Sequence, residues 1–88
     1  MFDVRLSRDA EKFYEKAESK LKNRLNELFS VLAQNPVPVD GCDVKKMSGR
    51  DDEYRIRLSR YRIIYRIDWE TNVVRIGVIE RRDEHTYD

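Results

Sequence analysis

The chain has 88 residues, of which 40% are charged and 40% hydrophobic, and its formal net charge is +1. This length fits one small domain spanning residues 1–88, and the strong periodicity of its apolar residues is not that of a disordered chain. No apolar run approaches the ~20 residues of a membrane-spanning helix, and no signal peptide opens the chain, so we expect a cytoplasmic protein that does not contact a membrane.

The residues that usually carry metal or covalent chemistry are scarce. The chain has one cysteine, Cys42, and one histidine, His85. An intrachain disulfide and a multi-histidine metal site are therefore excluded. The glycines are scattered and form no phosphate-binding loop. The sequence predicts neither a metal nor a cofactor.

The first half of the chain predicts one strand followed by two helices. Phe2–Leu6 alternates like a strand, and Ser7 precedes a run of strong helix formers as an N-cap would. A break near Ala17–Ser19 precedes a second helix over Lys20–Ala33, which must end before Pro36. The apolar residues of that helix share one face: Leu21, Leu25, Leu28, Phe29 and Leu32.

The second half predicts strands. A weak strand over Val44–Met47 precedes stronger ones at Tyr54–Leu58, Tyr61–Ile67 and Val73–Ile79. The order β-α-α-β-β-β-β indicates a small α+β domain. We expect an antiparallel sheet of about four strands with both helices on one face.

Short turns fix the expected register. A two-residue turn at Ser59-Arg60 pairs Arg57 with Arg62 and Ile56 with Ile63, and a four-residue turn over Trp69–Asn72 pairs Tyr65 with Ile76. The same register pairs Ile63 with Val78. One face then carries the apolar residues Tyr54, Ile56, Leu58, Tyr61, Ile63 and Tyr65.

The opposite face is predicted to be basic. Residues 45–66 carry 8 basic and 3 acidic side chains, a net of +5. In the expected register Arg62 lies beside Ile79, which places Arg81 on the same face as Arg55, Arg57 and Arg62. Like charges directly opposite are destabilising unless carboxylates or a bound anion compensate them, and the nearest carboxylates along the chain are Asp51, Asp52 and Glu53. An ordinary solvated sheet face is the alternative, but guanidinium matches phosphate bidentately and stacks on bases, which favours a face that binds an anion.

These motifs together resemble the RelE/ParE superfamily of toxins from type II toxin–antitoxin systems. The resemblance covers about residues 44–87. It begins with KMSG from Lys46 to Gly49, continues with YRIRL and YRIIY, and ends with RRDEHTY. The order and spacing of these elements carry the likeness, because none of them is specific alone.

The resemblance implies a ribosome-dependent endoribonuclease, an mRNA interferase that cuts mRNA in the ribosomal A site. The 2′-hydroxyl would attack the adjacent phosphate. Arg62 would hold the scissile phosphate, Arg81 would stabilise the leaving oxygen, and Tyr87 would stack on a base or assist proton movement. Arg55 and Arg57 stand where RelE-type toxins often have lysines, and an arginine with a pKa above ~12 is a poor general base.

The general base is therefore left open, with His85 as the candidate of suitable intrinsic pKa. Further RNA-binding residues are assigned by the same resemblance: Lys46, Arg55, Arg57, Arg60 and Arg82. A cognate RelB-like antitoxin is the implied partner, in a hetero-oligomer that masks the toxin. The alternatives are a ParE-like inhibitor of DNA gyrase without enzymatic activity and a plain RNA-binding module.

Overall fold

The computed structural model describes residues 1–47 and 52–81, and within these ranges the chain forms five strands and two helices. The order β-α-α-β-β-β-β is the predicted one, and most bounds agree within two residues. The elements are β1 (Asp3–Leu6), α1 (Arg8–Lys16), α2 (Ser19–Gln34), β2 (Asp43–Lys46), β3 (Glu53–Leu58), β4 (Tyr61–Asp68) and β5 (Val73–Arg81).

Local chemistry marks the start of α1 and the end of α2. Ser7 is extended, and its hydroxyl accepts a hydrogen bond from the Ala10 amide at 3.1 Å, which confirms it as the α1 N-cap. Ala17 returns to extended backbone and separates the helices. α2 ends at Gln34, ahead of Pro36 as predicted. Neither described helix combines the length and apolarity that crossing a membrane demands.

The sheet is larger than predicted. Its described strands have the order β1-β5-β4-β3-β2, with β1 parallel to β5 and the other neighbours antiparallel. The expectation of about four antiparallel strands omitted the pairing of β1. The two helices carry the chain from β1 at one edge of the sheet to β2 at the other edge, and the strands β2 to β5 then cross back until β5 lies beside β1 and parallel to it.

The core lies between the helices and one face of the sheet. Leu25, Leu28 and Leu32 of α2 are buried, which confirms the predicted helix face. They pack with residues that the predicted alternation placed on the apolar face, among them Ile56, Ile63, Tyr65, Ile67 and Ile76.

Tyr65 is a polar anchor within this core. The ring is only 1% exposed, and its hydroxyl donates a hydrogen bond of 2.7 Å to the Pro36 carbonyl. Desolvation by burial, with smaller contributions from Tyr54 and Cys42, raises the pKa of Tyr65 well above its ordinary value. The phenol is therefore a hydrogen-bond donor throughout the physiological range.

Both predicted turns are present. Ser59 at φ 56° begins the two-residue connection between β3 and β4, and Arg57 pairs with Arg62 as expected. Between β4 and β5, the Asp68 carboxylate accepts hydrogen bonds from the Glu70 and Thr71 amides at 3.1 and 3.2 Å. These bonds, above all those with Thr71, lower the pKa of Asp68.

A bulge in β5 changes the predicted register beyond Ile76. Tyr65 pairs with Ile76 as expected, but Ile64 pairs with Val78, so Gly77 is an extra residue in β5. Ile63 consequently pairs with Ile79 rather than Val78. Ile79 is 5% exposed and enters the core, whereas Val78 is 39% exposed on the other face.

Candidate nucleic-acid interface

A transverse row of charged residues crosses the sheet on the face opposite the helices. Asp43 of β2 pairs with Arg57 of β3, Arg57 pairs with Arg62 of β4, and Arg62 pairs with Glu80 of β5. We call these residues the charged row. The charges run negative, positive, positive, negative, so each arginine has a carboxylate on its outer side. The two carboxylates offset the electrostatic repulsion between Arg57 and Arg62.

The bond between Arg62 and Glu80 is the tightest part of the charged row. Nε of Arg62 donates to Oε1 of Glu80 at 2.8 Å, and Nη2 donates to the same oxygen. The Arg62 side chain is 22% exposed and that of Glu80 is 42% exposed. By comparison, Nε of Arg57 and Oδ2 of Asp43 are 3.9 Å apart, and both side chains are more open. Within the charged row, Arg62 is therefore bound more closely to its carboxylate than Arg57 is to Asp43.

Other charges surround the charged row on the same face. Arg55 lies between Lys45 and Ile64 in the register, so its guanidinium belongs to this face as predicted. Farther along β4, Nη2 of Arg66 is 3.7 Å from Oε2 of Glu53. Glu53 was one of the predicted carboxylate partners, and it compensates Arg66 rather than the central pair. Of the other two, Asp52 forms no ion pair with another residue of the described ranges, and Asp51 lies outside those ranges.

The structure contradicts the expected convergence of Arg81 with Arg62. Arg81 pairs with Tyr61, and residues directly opposite in a ladder share a face, so Arg81 belongs to the helix side of the sheet. The cause is the bulge at Gly77, which shifts every later residue of β5 by one position. Glu80 takes the place beside Arg62 that the sequence assigned to Ile79.

Arg81 instead lines a cleft of about 1070 Å³ between the helices and the β3–β4 turn. Phe13, Leu21 and Tyr61 provide apolar surface in the cleft, and the rings of Phe13 and Tyr61 meet edge to face at 5.8 Å. Asp9 and Glu18 are its acidic lining residues, but basic ones predominate: Lys12, Lys16, Lys20, Arg24, Arg60 and Arg81. We call this feature the basic cleft.

The predicted RNA-binding and catalytic residues thus divide between two faces. Arg55, Arg57 and Arg62 share the open face, while Arg60 and Arg81 line the basic cleft. Lys46 is exposed on edge strand β2, opposite Tyr54 and hence on the helix side. The remaining predicted residues lie outside the described ranges: Arg82, His85 and Tyr87.

Sequence reasoning missed the acidic members of the charged row and the helix contribution to the basic cleft. Asp43 precedes a weakly predicted strand and was assigned to no face. The predicted register, which lacked the bulge, put Glu80 opposite Tyr61 on the apolar face. Lys12 and Lys16 are four residues apart in α1, a spacing that was available as a signal of a shared helix side, whereas Lys20 belongs to α2. Within the described residues, no group of His, Cys, Asp and Glu side chains could hold a metal ion.

A family model described as the ParE toxin of the type II toxin–antitoxin system parDE matches residues 4–85, nearly the whole chain. The chain belongs to the RelE/ParE superfamily of type II toxins. RelE1 of Methanocaldococcus jannaschii, a protein named as a toxin, is 35% identical to it over 65 residues, covering 74% of this toxin and 71% of the relative.

Solved structures share the toxin's fold. RelE in the archaeal RelE–RelB complex from Pyrococcus horikoshii OT3 superposes with a TM-score of 0.84 and 29% identity, covering 94% of this toxin and 97% of that chain. The intact Escherichia coli RelBE complex gives a TM-score of 0.78 at 21% identity, covering 96% and 100%. The YoeB dimer from Staphylococcus aureus gives 0.75 at 20% identity, covering 93% and 98%.

Proposed function

We propose that the toxin is a ribosome-dependent endoribonuclease that cleaves mRNA in the A site and so inhibits translation in the cytoplasm. The observation that carries this proposal is the Arg57–Arg62 pair at the centre of the open sheet face, with Arg62 held by Glu80. Two oriented guanidinium groups suit a phosphodiester whose negative charge increases as the 2′-oxygen attacks. The relatives named RelE support the same activity.

In this mechanism Arg62 contacts the scissile phosphate, and Arg57 shares the charge that develops on the phosphorane. A preorganised donor pair stabilises the transition state more than the ground state, which is the requirement for catalysis. The 2′-oxygen displaces the 5′-oxygen of the next nucleotide, leaving a cyclic phosphate and a 5′-hydroxyl. Arg81 and Arg60 act from the basic cleft by binding the nucleic-acid backbone. Arg82 and Tyr87 retain their assigned roles as proposals, and His85 remains the alternative candidate for the general base.

The proposed partner is a cognate antitoxin of the RelB kind. Solved structures of RelE in complex with RelB are among the toxin's structural neighbours. An amphipathic antitoxin helix with acidic residues would fit the basic cleft, because its apolar side could pack on Phe13 and Leu21 while its carboxylates approach Lys16 and Arg24. The complex is expected to be a hetero-oligomer without nuclease activity.

Induction of the toxin in cells followed by mapping of mRNA 5′ ends tests the nuclease proposal. Cuts in phase with codons, dependent on translation, are expected from the wild type. Arg62→Ala should abolish them, whereas the matched control Arg66→Ala, a change on the same strand and face, should retain them. An Arg62→Ala variant that folds and cuts like wild type would refute the assignment of the site.

Gyrase inhibition is the second candidate, because the matching family model is described as ParE. The same induction experiment separates the two activities. Induction of the DNA-damage response without codon-phased cuts would identify gyrase as the target. Binding to RNA without either response would leave the plain RNA-binding module.

A further inference from the structure

The open face holds a carboxylate where the mechanism needs a proton acceptor. Cleavage by 2′-hydroxyl attack requires a group that removes the hydroxyl proton, and the central arginines cannot do so because they stay protonated. Glu80 lies beside Arg62 on the face that would bind the scissile phosphate, and it is bonded to two nitrogens of that guanidinium.

We propose that Glu80 is the general base of RNA cleavage, an inference that rests on the proposed nuclease function. A carboxylate and a phosphate bound to one guanidinium occupy neighbouring edges of the same planar group. The ribose hydroxyl adjacent to that phosphate is then within reach of Glu80. Arg62 of β4, which would hold the phosphate, and Glu80 of β5, which would accept the proton, thus lie directly opposite each other in the sheet.

The proposed step needs only Glu80, the RNA and water. A Glu80 carboxylate oxygen takes the proton of the 2′-hydroxyl while the 2′-oxygen forms a bond to phosphorus. The bond from phosphorus to the 5′-oxygen breaks, and its electron pair stays on that oxygen, which takes a proton from water. Glu80 then releases its proton to solvent, and the product carries the cyclic phosphate.

Two features of Glu80 make it suitable for this role. Its side chain is 42% exposed, so an RNA ribose can reach the carboxylate, while the hydrogen bonds to Arg62 fix its orientation. The other carboxylate of the charged row, Asp43, is held more loosely. Its side chain is 67% exposed, and its Oδ2 lies 3.9 Å from Nε of Arg57. Glu80 is therefore the better positioned proton acceptor of the two.

Glu80→Gln separates proton acceptance from positioning, because glutamine keeps an oxygen that can accept from Arg62 but is not a base. Single-turnover cleavage of ribosome-bound mRNA by Glu80→Gln should be slower by about 10²-fold or more, the usual contribution of a general base. The acidic limb of the wild-type pH–rate profile should disappear in this variant. Glu80→Ala should lose at least as much activity.

Glu53→Gln is the matched control, since Glu53 pairs with an arginine on the same sheet face and has no role in the proposed step. It should cleave at the wild-type rate with an unchanged pH profile. Thermal unfolding of each variant checks that the fold is retained.

Two results would overturn the inference alone while leaving the nuclease intact. One is a Glu80→Gln variant that cleaves mRNA at the same rate as the active wild type. The other is an impaired Glu80→Ala variant beside an active Glu80→Gln variant, which would make Glu80 a positioning residue for Arg62. A wild-type toxin that cuts no mRNA on ribosomes would refute both the inference and the proposed function.

Discussion

Arg62 and Arg81 lie on opposite faces of the same β4–β5 ladder. Arg62 is opposite Glu80, and Arg81 is opposite Tyr61 one position further along. Two arginines that the sequence placed together therefore meet different surroundings, one in the charged row and the other in the basic cleft. Their contributions to the proposed RNA cleavage should be separable by mutation.

Arg62→Ala is expected to lower the single-turnover cleavage rate by about 10²-fold or more, because it removes an oriented donor from the developing phosphorane charge. Arg81→Ala is expected to weaken binding of ribosome-bound mRNA with a smaller effect on the rate at saturation, since Arg81 lines the cleft. Rates measured across toxin concentrations distinguish the two effects. Equal losses of the saturated rate in both variants would mean that Arg81 also reaches the reacting phosphate.

Ser7→Ala should destabilise the toxin by about 1–2 kcal/mol through loss of the α1 N-cap. The hydroxyl accepts from the Ala10 amide and donates to the Gly77 carbonyl at 2.7 Å, so one substitution removes both bonds. Urea unfolding measures the loss. Ser30→Ala, at an exposed position within α2, is the matched control and should change stability little. Equal stability of the two variants would show that the cap contributes nothing.

Tyr65→Phe should change how stability depends on pH in the alkaline range. The pKa of Tyr65 is raised in the folded state, so its contribution is complete below the ordinary value of 10.0 and is lost as pH rises above it, when the unfolded chain ionises first. Phenylalanine cannot ionise, so the stability of the variant should not show this alkaline decrease. It should also lose about 1 kcal/mol at neutral pH with the hydrogen bond to Pro36.

Denaturant unfolding at neutral pH and at about pH 11 compares the two proteins. The stability difference between wild type and Tyr65→Phe should narrow at the higher pH. A difference that stays constant would contradict the assignment of a raised pKa to this phenol.

Asp68→Asn should change how stability depends on pH in the acidic range. The pKa of Asp68 is lowered by hydrogen bonds from the β4–β5 turn, so its ionised form stabilises the fold above the ordinary value of 3.8 and the contribution is lost as pH falls below it. The melting temperatures of wild type and variant should converge in acid and differ at neutral pH. Melting temperatures that differ by the same amount at every pH would contradict the stabilising role of the hydrogen bonds that Asp68 accepts in the turn.

The sequence predicted the fold well where the alternation of the strands and the length of the turn agree. Alternation from Tyr54 to Tyr65 and a short turn at Ser59-Arg60 were enough to place Arg57 opposite Arg62. The bulge could not be located in the same way, because the residues around Gly77 are apolar on both sides and no polar residue marks the change of phase. A glycine inside a strand was the available signal.

The candidate site was harder to predict than the fold for the same reason. One extra residue moved Arg81 off the open face and placed Glu80 beside Arg62. Partner carboxylates such as Asp43 depend on an edge strand whose sequence is only weakly strand-like. The arginines could thus be named from sequence, whereas their ion pairs required the three-dimensional pairing.

The hydrogen bond from Ser7 to Gly77 joins residues 70 positions apart, and β1 pairs with β5 in the same region. Such contacts give the fold a high contact order, which slows folding because a long loop must close first. During synthesis, β1 has no parallel neighbour until Val73–Arg81 has been made, and Glu80 is among the last residues of the sheet to emerge. A nascent chain therefore lacks the complete charged row until Glu80 has been made, so the candidate site forms late in synthesis.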